Sequence, residues 1–269
     1  MTLVTLLWAP FFCFAQCEQK VTGWIEQVRH AGPEKKIAVS DSIRDCLIKN
    51  SGVLQPEAFH KHPYLKMIKS EDGRLTIFSW AIPDDFFVDY FVLILYGKKN
   101  KIKTFYFIDT TSSNSFTYSD KVSQKRWPGA VYYDLLPAGK NQWVLVGWNA
   151  GNMFYNVKLI ETLSIRKNQV EFGIPLLMEN GKMISRKVFK FAEESIFTLK
   201  IDHKQKHIIF DHLIALQNSQ SHPEAFMVPD GSYDAFVYDK KKKRYIYTPK
   251  YDALNPKDSK DKLYKDPRK

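Results

Sequence analysis

Glycine and proline are sparse in this chain, 12 and 13 of 269 residues, and cysteine is sparser still at three. So little glycine and proline excludes a collagen-like or low-complexity polymer. No apolar run reaches the roughly 20 residues of a membrane-spanning helix, so no transmembrane segment is expected in the mature chain. The common catalytic signatures are missing as well. There is no G-x-S-x-G elbow, no H-E-x-x-H, and no glycine-rich loop followed by Lys-Ser/Thr. His60 and His62 flank Lys61, and His203 and His207 lie four apart, but neither set has a cysteine or carboxylate framework of zinc spacing. No metal and no cofactor are called for.

What is present is apolar area. At 44% hydrophobic and 14% aromatic, the chain can offset its conformational entropy and form one large domain or two small ones. It is also basic, with 40 Lys+Arg against 29 Asp+Glu and a formal charge of +11. The excess is local. Residues 240–269 hold twelve basic and four acidic residues, a net +8, whereas the preceding 239 hold 28 and 25, a net +3. Five of those basic residues, Lys240, Lys241, Lys242, Lys243 and Arg244, sit where a hairpin turn is expected. Apart from Lys250, the remainder are mixed with Asp, Pro and Ser in a segment, 251–269, too poor in apolar residues to bury a face. Such a basic end reads as a solvated terminus or as an arm for an anionic envelope surface. It does not read as a nucleic-acid site, because its charges are interleaved with acids and the aromatics lie in strand patterns.

The N-terminus carries the compartment signal. Leu3–Ala15 is an apolar run of signal-peptide length ending in a small residue. Cleavage after Ala15 would leave Gln16 first, and the chain is expected to be exported, periplasmic or secreted. No Lys or Arg precedes the run. Lipoprotein processing at Cys17 is the lesser alternative, since Phe14 and Gln16 stand where a leucine and a small residue are usual. Removing Cys13 leaves Cys17 and Cys46, an even pair that an exported chain can join.

Expected organisation runs from the signal peptide (1–15) to a helical segment (16–62), a β domain (63–250) and the basic tail (251–269). In the helical segment Val21, Trp24, Ile25 and Val28 recur at helical spacing, as do Ile43, Cys46 and Leu47. Gly32-Pro33 divides two helices, with Ser40 or Asp41 able to cap the second. Beyond residue 63 short β-branched and aromatic runs alternate with turn signals: Leu65–Lys69, Arg74–Trp80, Asp89–Tyr96, Lys101–Ile108, Val131–Leu136, Gln142–Trp148, and on to Tyr245–Thr248. About a dozen strands at this spacing predict a mainly β body, an antiparallel meander forming a sandwich, barrel or curled sheet. Lysines alternating with apolar residues in Lys187–Phe191 predict one wet face.

Candidate chemistry is thin. Asp211-His212 places an acid beside a base at a strand end, and Asp230-Gly231-Ser232-Tyr233-Asp234 adds two carboxylates around a turn. A hydrolase would draw on Asp211 and His212 with Asp230 or Asp234. Neighbours on a strand point to opposite faces, so a structural hydrogen bond is the simpler expectation for Asp211 and His212. Trp148, Asn149 and Asn152 form a tryptophan-and-amide loop that can stack on and bond a glycan, or simply close the core.

The stretches Arg126-Trp127-Pro128-Gly129-Ala130-Val131-Tyr132-Tyr133-Asp134 and Trp143–Asn152 resemble a pattern in uncharacterised exported proteins of Bacteroidota, a W-x-G-A-x-Y-Y segment followed by L-x-G-W-D/N-x-x-N. The likeness continues through Lys158–Glu161, Phe172–Pro175, Ile208–Leu213 and Pro229–Asp234, covering roughly residues 65–250. Pro128 departs from it, standing where an aromatic is common. The resemblance implies export and a β-rich domain and implies no reaction. The function expected is that of a non-enzymatic binding or envelope-associated module.

Overall fold

The computed structural model describes residues 9–84, 88–98, 101–109, 127–152, 154–167, 169–216 and 223–253. The part of the leader before Ala9 and the tail from Leu254 onward lie outside them. Two helices come first, α1 (Ala9–Gln27) and α2 (Pro33–Asn50). Pro33 occupies the first turn of α2, with Gly32 as the N-cap. There a missing N–H costs nothing and the fixed φ suits the helix. Helix α2 therefore starts earlier than a Ser40 or Asp41 cap would place it. Ser40 lies in mid-helix, buried, and accepts the indole N–H of Trp80 at 3.2 Å. Cys17 and Cys46 are joined in a disulfide that ties α1 to α2.

Among the described residues fifteen strands follow in three sheets. Strands β1 (Leu65–Lys69), β2 (Leu75–Pro83), β3 (Val88–Lys98) and β4 (Lys101–Ile108) form an antiparallel meander, here sheet A. Sheet B takes β5 (Val131–Gly139), β6 (Gln142–Asn152), β7 (Tyr155–Arg166), β8 (Gln169–Phe172) and β11 (Arg186–Ala192), with β7 pairing β6, β8 and β11. Sheet C holds β9 (Leu177–Glu179), β10 (Lys182–Ile184), β12 (Leu199–Asp202), β13 (His207–Ala215), β14 (Met227–Asp239) and β15 (Arg244–Thr248). Its order is β10-β9-β15-β14-β13-β12, and it is mixed because β15 runs parallel to β9.

The layers stack as helices, sheet A, sheet B, sheet C, with an apolar core in each of the three gaps. The first core packs Val21, Ile25, Ile43 and Leu47 of the helices against Phe78, Trp80, Phe91 and Leu93 of sheet A. On the opposite face of the same strands Ile77, Val92 and Ile94 meet Tyr132, Leu145, Leu159 and Leu163 of sheet B. The third core sets Val144, Val146, Ile160 and Phe189 against Ile208, Phe210 and Phe236 of sheet C. Sheets A and B are thus covered on both faces, which explains their continuous apolar runs. Strand β11 departs from the one-wet-face expectation for the same reason. Val188 enters the A–B core and Phe189 and Phe191 the B–C core, while Lys187 reaches Glu179 at 2.7 Å and Lys190 lies 4.9 Å above the Tyr155 ring.

Polar groups stitch the layers. Lys36 of α2, buried, reaches Asp84, just past β2, and Asp89 of β3 at 2.8 and 3.0 Å. The buried Ser79 hydroxyl accepts the Tyr132 amide at 2.8 Å, joining A to B. In sheet B Glu161 pairs with Arg186 directly across β7 and β11, and both are out of contact with water.

Candidate functional site

Three turns that are remote in sequence meet at the ends of sheets B and C. They join β5 to β6, β12 to β13 and β14 to β15. Between them lies an open cleft of about 470 Å³ lined by Ala138, Gly139, Lys140, Gln142, Lys206, Tyr238, Lys240 and Lys243. Four of these eight residues are lysines and none is acidic.

Each turn is held by its own short polar side chains. Asn141 adopts positive φ (57°), and its side-chain oxygen accepts the Tyr96 hydroxyl at 2.7 Å. Asp202 accepts the amides of Lys204 and Gln205 at 2.9 and 3.1 Å, and Asp239 those of Lys241 and Lys242 at 2.8 and 2.9 Å. The two aspartate turns are Asx-type, in which the side chain closes the backbone, whereas Asn141 ties its turn to Tyr96 of β3. The Lys242 amide, with the Lys241 amide and the two ammonium charges adding, holds the Asp239 carboxyl below its usual range. Asp202 and Asp239 are thus turned into their own loops. Lys140, Lys206, Lys240 and Lys243 form no ion pair among the described residues.

The basic hairpin expected at 240–244 is present, but its residues divide. Lys240 and Lys243 line the cleft; Lys241 and Lys242 are exposed outside it. Arg244 folds back, donating to the Lys242 carbonyl at 3.2 Å and contacting Met183 sulfur at 3.3 Å. Sequence reasoning missed Lys140 and Lys206. Each stands at a turn that carries an Asn or Asp, a visible local signal, but their convergence with Lys240 is tertiary. Tyr251, assigned from sequence to the loose tail, belongs to the fold. Its amide bonds the Tyr233 carbonyl at 2.7 Å and its hydroxyl meets His207 Nδ1 at 2.7 Å.

A second polar centre lies on sheet C. Asp211 pairs with Tyr233 and Leu213 with Pro229, so His212 faces the three-residue excursion Asp230-Gly231-Ser232. Such irregularities re-aim side chains. His212 Nδ1 sits 2.8 Å from Asp234 Oδ2, and the same oxygen accepts the Tyr247 hydroxyl at 2.7 Å, while Asp234 Oδ1 accepts the Lys250 amide at 3.0 Å. The Asp234 side chain is 5% exposed and that of His212 is 41%. Burial and the adjacent Asp234 push the Tyr247 hydroxyl up, keeping it a donor. Asp211 takes no part: its carboxylate accepts the Thr198 amide at 2.6 Å, so these neighbours in sequence do not act on each other. Asp230 is exposed and closes its own turn with Ser232, whose hydroxyl and amide hold its carboxyl low.

The Trp148 loop is internally engaged. Trp148 packs edge-on to Tyr90 with ring centroids 6.3 Å apart. Asn149 is buried, donates to the Gly129 carbonyl at 3.1 Å and accepts the Gly151 amide at 2.8 Å. Asn152 accepts the amides of Phe154 and Tyr155 at 2.8 and 3.2 Å. At Gly151, φ is 65° and a Cβ would lie 2.0 Å from the Tyr155 carbonyl oxygen, so only glycine fits the bulge. These amides shape the loop, and their acceptors are occupied by backbone.

No group of three or more His, Cys, Asp or Glu among the described residues is arranged to hold a metal ion. No described helix is long and apolar enough to cross a membrane. No protein-family model and no curated protein sequence matches the chain.

Proposed function

We propose that this protein is an exported, non-enzymatic module that binds anionic material of the cell envelope. The observation that carries the reading is the lysine cleft: four cations from three turns around one concave site, with the neighbouring acids engaged elsewhere. Concentrated charge of one sign in a cleft raises the local concentration of anions. Export is supported by the apolar leader, by the resemblance to exported proteins of Bacteroidota, and by the Cys17–Cys46 disulfide, which suits an oxidising compartment.

Two measurements test it. Protein recovered from the periplasmic or culture fraction is expected to begin at Gln16 and to show no free thiol without reductant; a cytoplasmic chain retaining Met1 overturns export. The protein is expected to be retained on immobilised dextran sulfate and released by salt, because surface charge interactions are screened. Retention unchanged by the combined variant K140Q/K206Q/K240Q/K243Q overturns the cleft as the anion site.

A second reading, a hydrolase, is favoured by the 2.8 Å contact of His212 with Asp234. A buried carboxylate bonded to Nδ1 leaves Nε2 as the basic nitrogen of the neutral ring. In this version Asp234, rather than Asp211, is the orienting acid. Hydrolysis of nitrophenyl ester, phosphate or glycoside probes that disappears in H212Q supports it; no turnover, or turnover unchanged in H212Q, removes it.

A further inference from the structure

We propose that the cleft between the β5–β6, β12–β13 and β14–β15 turns binds a compact ligand carrying linked phosphate groups, and that this ligand latches sheet B to sheet C. The proposal rests on the anion-binding reading above and names the chemistry of its ligand.

Side-chain type is the first argument. All four cations in the lining are lysines and no arginine is among them. Arginine offers a planar fork matched to a single carboxylate, whereas lysine acts as a mobile point charge with three donors. Linked phosphates present many acceptor oxygens in several directions and three or more negative charges, which suits several independent ammonium groups better than one fork.

Shape is the second. A cleft of about 470 Å³ falls in the roughly 300–1,000 Å³ range of small-molecule sites. A flat lipid surface would instead engage the most protruding charges equally, including Lys241 and Lys242, which lie outside the lining. The remaining polar lining residues, Gln142 and Tyr238, add an amide and a hydroxyl. The Tyr238 ring packs on Tyr245 with centroids 5.1 Å apart, so it is already engaged as a stacking partner.

Placement is the third. Lys140 and Gln142 belong to sheet B, and Lys206, Lys240 and Lys243 to sheet C. In the free protein the two sheet ends present like charges to each other, while the Asx turns at Asp202 and Asp239 and the Tyr96–Asn141 bond fix the backbone beneath them. An anion between them replaces repulsion with attraction on both sides. Ligand binding should therefore stabilise the fold as a whole, and loss of one cleft lysine should weaken binding without weakening the free protein.

The test is calorimetric titration of the full chain with tripolyphosphate, together with thermal melting. Tripolyphosphate is expected to bind, to raise Tm, and to bind more weakly as salt increases. K140Q and K240Q should each lose about tenfold or more in affinity, as for one charged hydrogen bond, with an unliganded Tm no lower than the parent's. The double variant K241Q/K242Q, which removes more charge outside the cleft, should keep affinity within about twofold. Vesicles containing phosphatidic acid separate the sources. Binding of tripolyphosphate alone assigns a soluble phosphate ligand; vesicle binding that tripolyphosphate displaces and K240Q abolishes assigns a lipid headgroup. Either outcome upholds the site. Absence of tripolyphosphate binding, or equal losses in K241Q/K242Q and the cleft variants, overturns it. Dextran sulfate retention that survives in that case leaves the broader anion-binding reading standing; loss of both removes both.

Discussion

Arg186 and Glu161 stand directly opposite each other across β11 and β7, 2.6 Å apart from Nε to Oε2, at 2% and 0% exposure. Glu161 also accepts the Thr162 amide at 2.9 Å, and Thr162 in turn bonds the carbonyls of Ile174 and Ser185. The pair thus fixes β11 to β7 and helps hold the segments that lead from sheet B into sheet C.

Breaking a buried pair strands a charge. E161Q, which retains an acceptor for the Thr162 amide, and R186M are each expected to lower unfolding free energy by about 3–5 kcal/mol. The double variant should cost clearly less than the two losses combined, because neither charge is then left alone. Urea denaturation of all four proteins measures this, and strict additivity would show that the two side chains contribute independently.

His62 gives the acid side of the stability curve. Its Nδ1 accepts the amides of Tyr64 and Leu65 at 3.1 and 2.9 Å, which requires the neutral ring. Burial, aided by the Lys66 charge and opposed by Glu26, lowers its pKa below 6.5. The unfolded chain therefore takes up the proton first. The stability His62 contributes is complete above about pH 6.5 and is lost as pH falls through that value toward the folded pKa. Tm should decline between pH 7.5 and pH 5, and H62N, which keeps an acceptor and does not titrate, should flatten that decline. An NMR titration placing the folded His62 pKa above 6.5 would contradict the sign.

The Asp234 carboxylate sets the tautomer of His212. Nitrogen-15 shifts should show the neutral ring protonated at Nδ1 in the parent and redistributed in D234N. The same variant weakens the Tyr247 and Lys250 contacts, so a stability loss of about 1–3 kcal/mol is expected. A His212 tautomer unchanged in D234N would mean that the 2.8 Å contact does not orient the ring.

The sequence made the strands legible wherever an apolar run ended in a turn residue. Leu65–Lys69 and Lys101–Ile108 agree with the structure end to end; Gly73 marks the turn after the first, whereas Gly97, expected to open the turn before the second, lies within β3 opposite Ile102. The three-sheet stack was not legible. Alternation reports which face of a strand is apolar, and strands such as Leu75–Pro83 and Tyr155–Arg166 are buried on both, so they carry little face information. The β9–β10 hairpin escaped notice because strands of three residues have no measurable period. At the candidate sites, Lys240 and Lys243 were visible as part of a charge run, and His212 and Asp234 as members of a candidate acid–base set with Asp211 and Asp230. What brings Lys240 and Lys140 to one cleft is the packing of turns a hundred residues apart, and His212 and Asp211 part because Asp211 accepts the Thr198 amide while His212 reaches Asp234.

The order of the layers in space nearly repeats the order of the chain: helices, sheet A, sheet B, then sheet C. A chain emerging N-terminus first can lay each new sheet on a surface already made, without waiting for distant partners. The exception is the hairpin β9–β10, synthesised before β11 but seated at the far edge of sheet C beside β15. It has no strand neighbour there until Tyr245 and Ile246 arrive opposite Leu177 and Met178. Strand β15 is thus a clasp, and truncating the chain before Arg244 would leave an otherwise ordered sequence of layers with its last edge open.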